Sequence, residues 1–167
     1  MKARWCVFLI FLLSLPLHAA TVKRLDLDGL VATAQTIIVG KVSDSHTYWT
    51  DDGRLILTRY TIEVDETLKG FPSGTVEVTT IGGTIGELTL HVSGMPAFGV
   101  GERTVLFLES TGRYRTVVGL GQGKFSIDND FVSNDVSELK FEDGRRGRPT
   151  RLRLEEFKDD IRRRMRR

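Results

Sequence analysis

His91 and Ser93 are the two residues of this sequence whose types and spacing best suit catalysis. They flank Val92, and residues i and i+2 of a strand project from the same side of it. A histidine activates a serine hydroxyl when a carboxylate orients the imidazole, and Glu87 lies just upstream. The sequence lacks the G-x-S-x-G motif of many hydrolases. A hydrolytic site near His91 and Ser93 is therefore one hypothesis, and an ordinary polar loop is the other.

Residues that commonly bind metals are few. Cys6 is the one cysteine, and only His46 and His91 among the histidines follow residue 20. Zinc sites are built from thiolates, imidazoles and carboxylates. Without thiolates, a zinc site would need both histidines, from different strands, together with carboxylates. We therefore expect no metal and no cofactor, and removal of Cys6 would also exclude a thiol enzyme and a disulfide scaffold.

Residues 119–124, GLGQGK, have the composition of a phosphate-binding loop but not its spacing. The G-x-x-x-x-G-K-[ST] pattern fails because Val118 stands at its first glycine and Phe125 follows the lysine. The G-x-G-x-x-G pattern fails because Lys124 occupies its last position. We predict instead that these glycines serve a strand crossing or a β-bulge.

Two loops with flexible glycines are the predicted partner-binding surface. Loops often carry binding residues, and exposed methionine and aromatic side chains provide contact area. Lining of the core is the alternative for the methionine and the phenylalanine. The predicted partner-binding residues are Gly82, Gly83, His91, Met95 and Phe98.

The first twenty residues have the layout of a secretory signal peptide. Lys2 and Arg4 precede an apolar run over residues 5–16 and an exit of small residues at Ala19 and Ala20. The run is shorter than the roughly 20 apolar residues that a membrane-spanning helix needs. We expect cleavage near Ala19 or Ala20, export to the periplasm or the extracellular space, and no transmembrane span afterwards. A retained membrane anchor is the alternative.

The remaining chain is divided into two regions of opposite charge. Residues 21–144 contain 11 basic and 18 acidic residues, a net −7, whereas residues 145–167 contain 11 basic and 4 acidic residues, a net +7. A basic tail can bind an anionic surface by releasing its counterions, although export argues against nucleic acid. The alternative is a helix docked on the body with its arginines toward solvent or the acidic region. The candidate surface-binding residues are Arg162, Arg163, Arg164, Arg166 and Arg167.

Short strands are predicted over most of the mature chain. Residues 36–42 are rich in β-branched residues, and the central Gly40 predicts a bend or a close approach by another backbone. Residues 55–65 alternate between two faces, and the turn at residues 51–53 predicts a hairpin between these strands. Further strands are predicted at residues 76–80, 87–92, 104–108, 114–118, 124–127 and 131–132. This spacing favours a sandwich or a barrel.

One helix is predicted at each end of the mature chain. Residues 27–35 have helical spacing, with Asp26 or Asp28 as the cap. The second helix follows a basic, glycine- and proline-containing linker and has an apolar stripe. The stripe consists of Leu154, Phe157, Ile161 and Met165.

Three segments resemble the first strands of the netrin-like and TIMP-like OB-fold domains. They are residues 38–42, IVGKV, residues 60–70 with their ending Leu68-Lys69-Gly70, and residues 76–80, VEVTT. Residues 101–108 resemble a later strand of the same domains. The resemblance covers roughly residues 34–127 and implies an OB-like barrel. TIMP-like inhibitors chelate a protease zinc through an N-terminal cysteine, which the mature chain lacks, so the resemblance assigns no inhibitory residue here.

The chain also resembles an uncharacterised bacterial exported family over nearly its whole length. The likeness lies in the "sleeLvaxAdxIvvGxV" pattern at the start and a "GxGkFxI"-like segment near the end, and it implies an exported, non-enzymatic β protein. The predicted fold class is mainly β, an OB-like closed or partly open antiparallel barrel with a short N-terminal helix and a C-terminal amphipathic helix. The predicted segments are a signal peptide at residues 1–20, a barrel domain at 21–141, and a basic linker with the second helix at 142–167.

The function expected from these features is that of an exported, non-catalytic binding module. Its partner would be a protein or another envelope component, with an exported protease as one candidate. The alternatives are a hydrolase with a site near His91 and Ser93, and adhesion of the basic tail to anionic envelope surfaces.

Overall fold

The computed structural model describes residues 21–166, so the predicted signal peptide and Arg167 lie outside the described residues. The helices are α1 (Leu27–Thr33) and α2 (Leu154–Met165). The strands are β1 (Thr36–Trp49), β2 (Ile56–Lys69), β3 (Thr75–Ile81), β4 (Gly83–Ile85), β5 (Leu88–Leu90), β6 (Arg103–Thr111), β7 (Tyr114–Val117), β8 (Lys124–Asp128), β9 (Phe131–Ser133) and β10 (Arg151–Arg153). The prediction of a mainly β chain with one helix near each end is confirmed.

The long hairpin of β1 and β2 organises the fold. Its turn lies at residues 51–53, as predicted, and Thr50 Oγ1 donates a hydrogen bond of 2.6 Å to Asp52 Oδ1 within the turn. The β1–β2 register shifts between Val39 and Gly40, and a Cβ atom at residue 40 would overlap the carbonyl oxygen of Glu63. The predicted close approach of another backbone to Gly40 is therefore confirmed.

The strands form one large antiparallel sheet and one separate hairpin. The large sheet runs in the order β10-β9-β8-β6-β1-β2-β3, with β7 paired to the far end of β6, while β4 pairs with β5. No ladder within residues 21–166 joins β3 to β7 or to β10, so closure of the sheet into a barrel is not found. The antiparallel sheet is confirmed. The edges of β3 and β7 approach each other without pairing, so the sheet stays open between them.

The first half of β1 and the middle of β6 are buried on both faces. Because successive side chains of a strand point to opposite faces, the pair Ile37 and Phe107 faces one side and the pair Ile38 and Leu106 faces the other. The first pair joins a core cluster with α1 and α2, and the second joins a cluster with β2 and β3. The sheet therefore separates two apolar layers.

Helix α2 is part of the first layer. Phe157 and Ile161 are buried, and the ring of Phe157 lies 4.6 Å from that of Phe125 on β8, centroid to centroid. Leu154 and Met165 pack against the same cluster, so the predicted apolar stripe is confirmed as the docking face. No helix of residues 21–166 has the length and apolar character needed to cross a membrane.

Three local predictions need correction. Helix α1 ends two residues earlier than predicted because Ala34 has an extended conformation, although Asp26 caps the helix as expected. Residues Leu120–Gly123 form a 3₁₀ turn rather than a strand crossing or bulge, and Gln122 within it holds the amino-terminal segment through a 2.8 Å bond from the N–H of Leu25. Strand β10 was not expected, and it extends the sheet beyond residue 142.

Candidate functional site

A cavity of about 290 Å³ opens between β8 and the loop that follows β5. We call residues 91–101 the anchored loop, because hydrogen bonds from other parts of the chain hold its backbone. The cavity also borders the 3₁₀ turn and residues 135–138, so four separate parts of the chain meet around it. Its lining includes His91, Met95, Ala97, Lys124, Ser126 and Glu138.

Lys124 joins the sheet to the anchored loop. From β8 its Nζ donates a hydrogen bond of 2.6 Å to the carbonyl oxygen of Ala97 and lies 2.8 Å from Glu102 Oε1. The same ammonium lies 4.7 Å from the centroid of the Phe98 ring, within the range of a cation–π interaction. Lys124 thus contacts both Glu102 and the anchored loop, and its side chain is only 16% exposed.

Glu102 is the acceptor at the centre of this network. Its Oε1 accepts a 2.6 Å bond from Ser126 Oγ, and its Oε2 accepts a 3.0 Å bond from the N–H of Gly99. Burial alone would raise the pKa of Glu102, but the donors from Lys124, Ser126 and Gly99 outweigh it and lower the pKa below the ordinary glutamate value. The ionised carboxylate therefore holds both β8 and the loop.

Two further contacts fix the start of the anchored loop. The N–H of Gly94 donates to Glu138 Oε2 at 3.2 Å, and the carbonyl oxygen of Gly94 accepts a 2.9 Å bond from the N–H of Gly121. Gly94 has a φ of +76°, and a Cβ at this position would overlap Leu139. Together with the bonds at Ala97 and Gly99, these contacts fix the loop backbone at Gly94, Ala97 and Gly99, and a 2.8 Å bond from the N–H of Gly101 to the carbonyl oxygen of Val42 holds its end.

The structure places the predicted partner-binding residues in two different regions. His91 and Met95 line the cavity, and Phe98 lies beside it with its ring 4.7 Å from that of Tyr60. Phe98 therefore packs on the core and anchors the loop. Gly82 and Gly83 lie elsewhere, against the β1–β2 hairpin, where Thr58 Oγ1 donates a 2.6 Å bond to the carbonyl oxygen of Gly82.

The geometry around His91 does not assemble a catalytic triad. His91 Nε2 lies 3.3 Å from Glu138 Oε2, and the imidazole side chain is 67% exposed. Ser93 is not a hydrogen-bond partner of either side chain in the described part of the chain, and Glu87 lies in the β4–β5 turn. The carboxylate beside His91 is therefore Glu138, which the sequence did not indicate.

The basic residues of α2 are engaged largely within the protein. Arg162 and Lys158 both reach Glu66 on β2, at 2.6 and 2.7 Å, while Arg164 Nε lies 3.1 Å from Asp28 Oδ1. Arg163 pairs with Asp160 on the helix itself. Among the described arginines of the predicted surface-binding set, Arg163 and Arg166 are the exposed ones.

Sequence reasoning missed the residues that form the network. Lys124 and Ser126 are polar residues of β8, a pattern that resembles a solvated face, while Glu102 directly precedes β6 and Glu138 lies in a loop. The signal that could have found them is the placement of Glu102 and Lys124 at the starts of two strands, beside glycines. Across residues 21–166, no group of three or more His, Cys, Asp or Glu side chains is placed to hold a metal ion.

Comparison with known proteins gives no assignment. No protein-family model matches the chain, and no curated protein and no solved structure matches it.

Proposed function

We propose that the protein is an exported, non-catalytic binding module with an OB-like barrel, and that its binding site is the cavity beside the anchored loop. Its partner is a protein or another component of the cell envelope, with an exported protease as the specific candidate. The observation that carries this proposal is the fixation of the loop backbone at Gly94, Ala97 and Gly99 while His91 and Glu138 remain exposed beside the cavity.

A loop held in this way suits recognition more than chemistry. Binding costs conformational entropy, and a loop that is already ordered by its own protein loses less of it on association. The site offers a mixed surface, because Met95 presents a thioether and Glu138 presents a carboxylate near the exposed Ala97. A nucleophile joined to a base is missing from the described site, which supports a binding role.

The amino-terminal segment supports a mode of binding different from that of TIMP-like inhibitors. Val22 is held by two backbone hydrogen bonds. Its N–H donates to the carbonyl oxygen of Lys140 at 2.9 Å, and the carbonyl oxygen of Val22 accepts from the N–H of Glu142 at 3.1 Å. If cleavage occurs near Ala20, the new terminus would therefore begin beside a fixed residue. We propose that contact with a protease would be made by the anchored loop.

Affinity capture from an envelope extract tests the proposal when the bait is varied at the cavity. Ala97→Arg places a long charged side chain at the cavity mouth and leaves the backbone bond to Lys124 possible. Ser73→Arg, in the exposed β2–β3 turn, is the matched control. We expect a captured partner to be lost with the first variant and kept with the second. Equal capture by both variants would contradict the proposed site.

Two further sets of variants test the hydrolase and adhesion alternatives. Loss of a detected hydrolytic activity in His91→Ala and Ser93→Ala would support the hydrolase. Retention on an anionic surface at low salt that disappears in an Arg163→Gln, Arg166→Gln double variant would support adhesion by the tail. These two arginines are preferable to deletion of the tail because deletion would also remove Phe157 from the core.

A further inference from the structure

A second cavity, of about 280 Å³, lies between β3 and the β6–β7 hairpin and is strongly basic. We call it the basic groove. It is separate from the anchored loop, and no motif in the sequence indicated it. Its lining includes three arginines and one acidic residue, together with tyrosine and serine side chains: Arg59, Arg113, Arg115, Glu77, Tyr48, Tyr114 and Ser110.

The fold brings the three arginines together from different segments. Arg59 lies on β2 opposite Thr79 of β3, and Arg115 lies on β7 opposite Ser110 of β6. Arg113 lies in the turn between β6 and β7. Because the β3 and β7 edges are not joined by a ladder, the guanidinium groups of two sheet regions can face one groove.

The charge of the basic groove is only weakly compensated. Arg59 lies 3.7 Å from Glu77 and Arg113 lies 3.7 Å from Asp51, at the long end of ion-pair distances, and the two carboxylate side chains are 62% and 95% exposed. Exposed pairs of this kind contribute little and exchange readily. No Asp or Glu oxygen of the described residues lies within 4.0 Å of the Arg115 side-chain nitrogens. Residues 21–144 have a net charge of −7, yet three of their arginines are gathered in this groove.

We propose that the basic groove binds a small molecule that carries a phosphate or sulfate group. A guanidinium presents a fixed fork of N–H donors that matches oxyanions, and three guanidiniums match a tetrahedral group with three or four acceptor oxygens better than a two-oxygen carboxylate. The guanidiniums of Arg59 and Arg113 lie over the rings of Tyr48 and Tyr114, 5.7 and 5.6 Å from the centroids, so the tyrosines help to position two of the three arginines. Ser110 adds a hydroxyl donor.

Titration of the full mature chain with inorganic phosphate, inorganic sulfate and acetate, followed by NMR at constant ionic strength, tests this site. We expect saturable shifts at the residues of the basic groove with phosphate, sulfate or both, and weaker shifts with acetate. Arg115→Gln should weaken binding by about tenfold, since a charge-assisted hydrogen bond is lost. Arg115→Lys should be intermediate, because the charge stays while the fork is lost.

Arg151→Gln provides the matched control because Arg151 is exposed on β10, at the opposite end of the sheet from β3, and the charge change is the same. It should bind as the unaltered protein does. Shifts that rise linearly without saturation, or equal losses in Arg115→Gln and Arg151→Gln, would overturn the proposal. Binding of acetate as tight as that of phosphate and sulfate would also overturn it. Since the groove does not include the anchored loop, these results are independent of the captured partner.

Discussion

Lys124 on β8 donates a 2.6 Å hydrogen bond from its Nζ to the carbonyl oxygen of Ala97, in the middle of the anchored loop. The same ammonium lies 2.8 Å from Glu102 Oε1. One side chain therefore neutralises a partly buried carboxylate and orders the loop that borders the cavity. Stability of the sheet and shape of the proposed site are coupled through Lys124.

Replacement of Lys124 by methionine should lower the free energy of unfolding by about 1–3 kcal/mol, because Glu102 would keep its charge without its principal partner. The loop would also lose its bond at Ala97. Urea denaturation measures the first effect and hydrogen exchange at the Gly99 amide measures the second. Lys41→Met removes an equally charged but exposed side chain of β1 and is the control. Equal effects of the two variants would show that the network does not stabilise the protein.

The stability of the protein should depend on pH through Glu102. Its pKa in the folded state is below the ordinary value of 4.5, so it contributes stability above that value, and this contribution disappears as pH falls through the folded-state pKa. Glu102→Gln should therefore be less stable at neutral pH and lose less stability on acidification. The measurement is the difference in the free energy of unfolding between variant and unaltered protein across the acid range. Glu63→Gln, an exposed substitution on β2, is the control. A difference for Glu102→Gln that did not change with pH would contradict the network.

Removal of the Phe157 ring should destabilise the whole protein. Phe157 is buried between Phe107 and Phe125, and truncation of a buried phenylalanine to alanine typically costs about 3–5 kcal/mol. The loss should persist at high salt because it comes from apolar contact. Phe71→Ala is a matched control, since Phe71 is fully exposed in the β2–β3 turn, and it should change stability by less than about 0.5 kcal/mol. If Phe157→Ala had an equally small effect, α2 would not be part of the core.

The ion pairs of α2 should make a smaller, salt-dependent contribution. Glu66 accepts from both Lys158 and Arg162, so Glu66→Gln weakens two contacts at once. We expect a loss of about 0.5–1.5 kcal/mol at low salt, which falls as the salt concentration rises. Thermal unfolding at several salt concentrations measures it. A loss that did not change with salt would mean that packing, and not charge, explains the role of Glu66.

Features with a local cause could be predicted from the sequence. The alternation along residues 55–65 reflects the two faces of β2, and the spacing of Phe157 and Ile161 reflects one face of α2. Gly40 signalled a backbone contact because a side chain cannot fit beside Glu63. In each case the physical constraint acts between neighbouring residues or at a single residue.

Features that depend on distant contacts could not be predicted. Glu102 and Lys124 are 22 residues apart, and their placement beside glycines at the starts of two strands does not by itself show that the two side chains meet. The three residues of β10 are exposed and form the edge of the sheet, where they pair only with β9, so they carry no apolar pattern. The groove between β3 and β7 arises because the edges of two strands that are distant in the sequence approach without forming a ladder.

The most direct test of the proposed binding site is site-specific photo-crosslinking from residue 97 in cells that produce the protein. A photoreactive residue at Ala97 faces the proposed site, and one at Ser73 faces solvent in the β2–β3 turn. If the cavity beside the anchored loop binds a partner, residue 97 should give one discrete adduct that is missing from residue 73 and is reduced by Lys124→Met. The same adducts from both positions, or no adduct from residue 97, would contradict the claim.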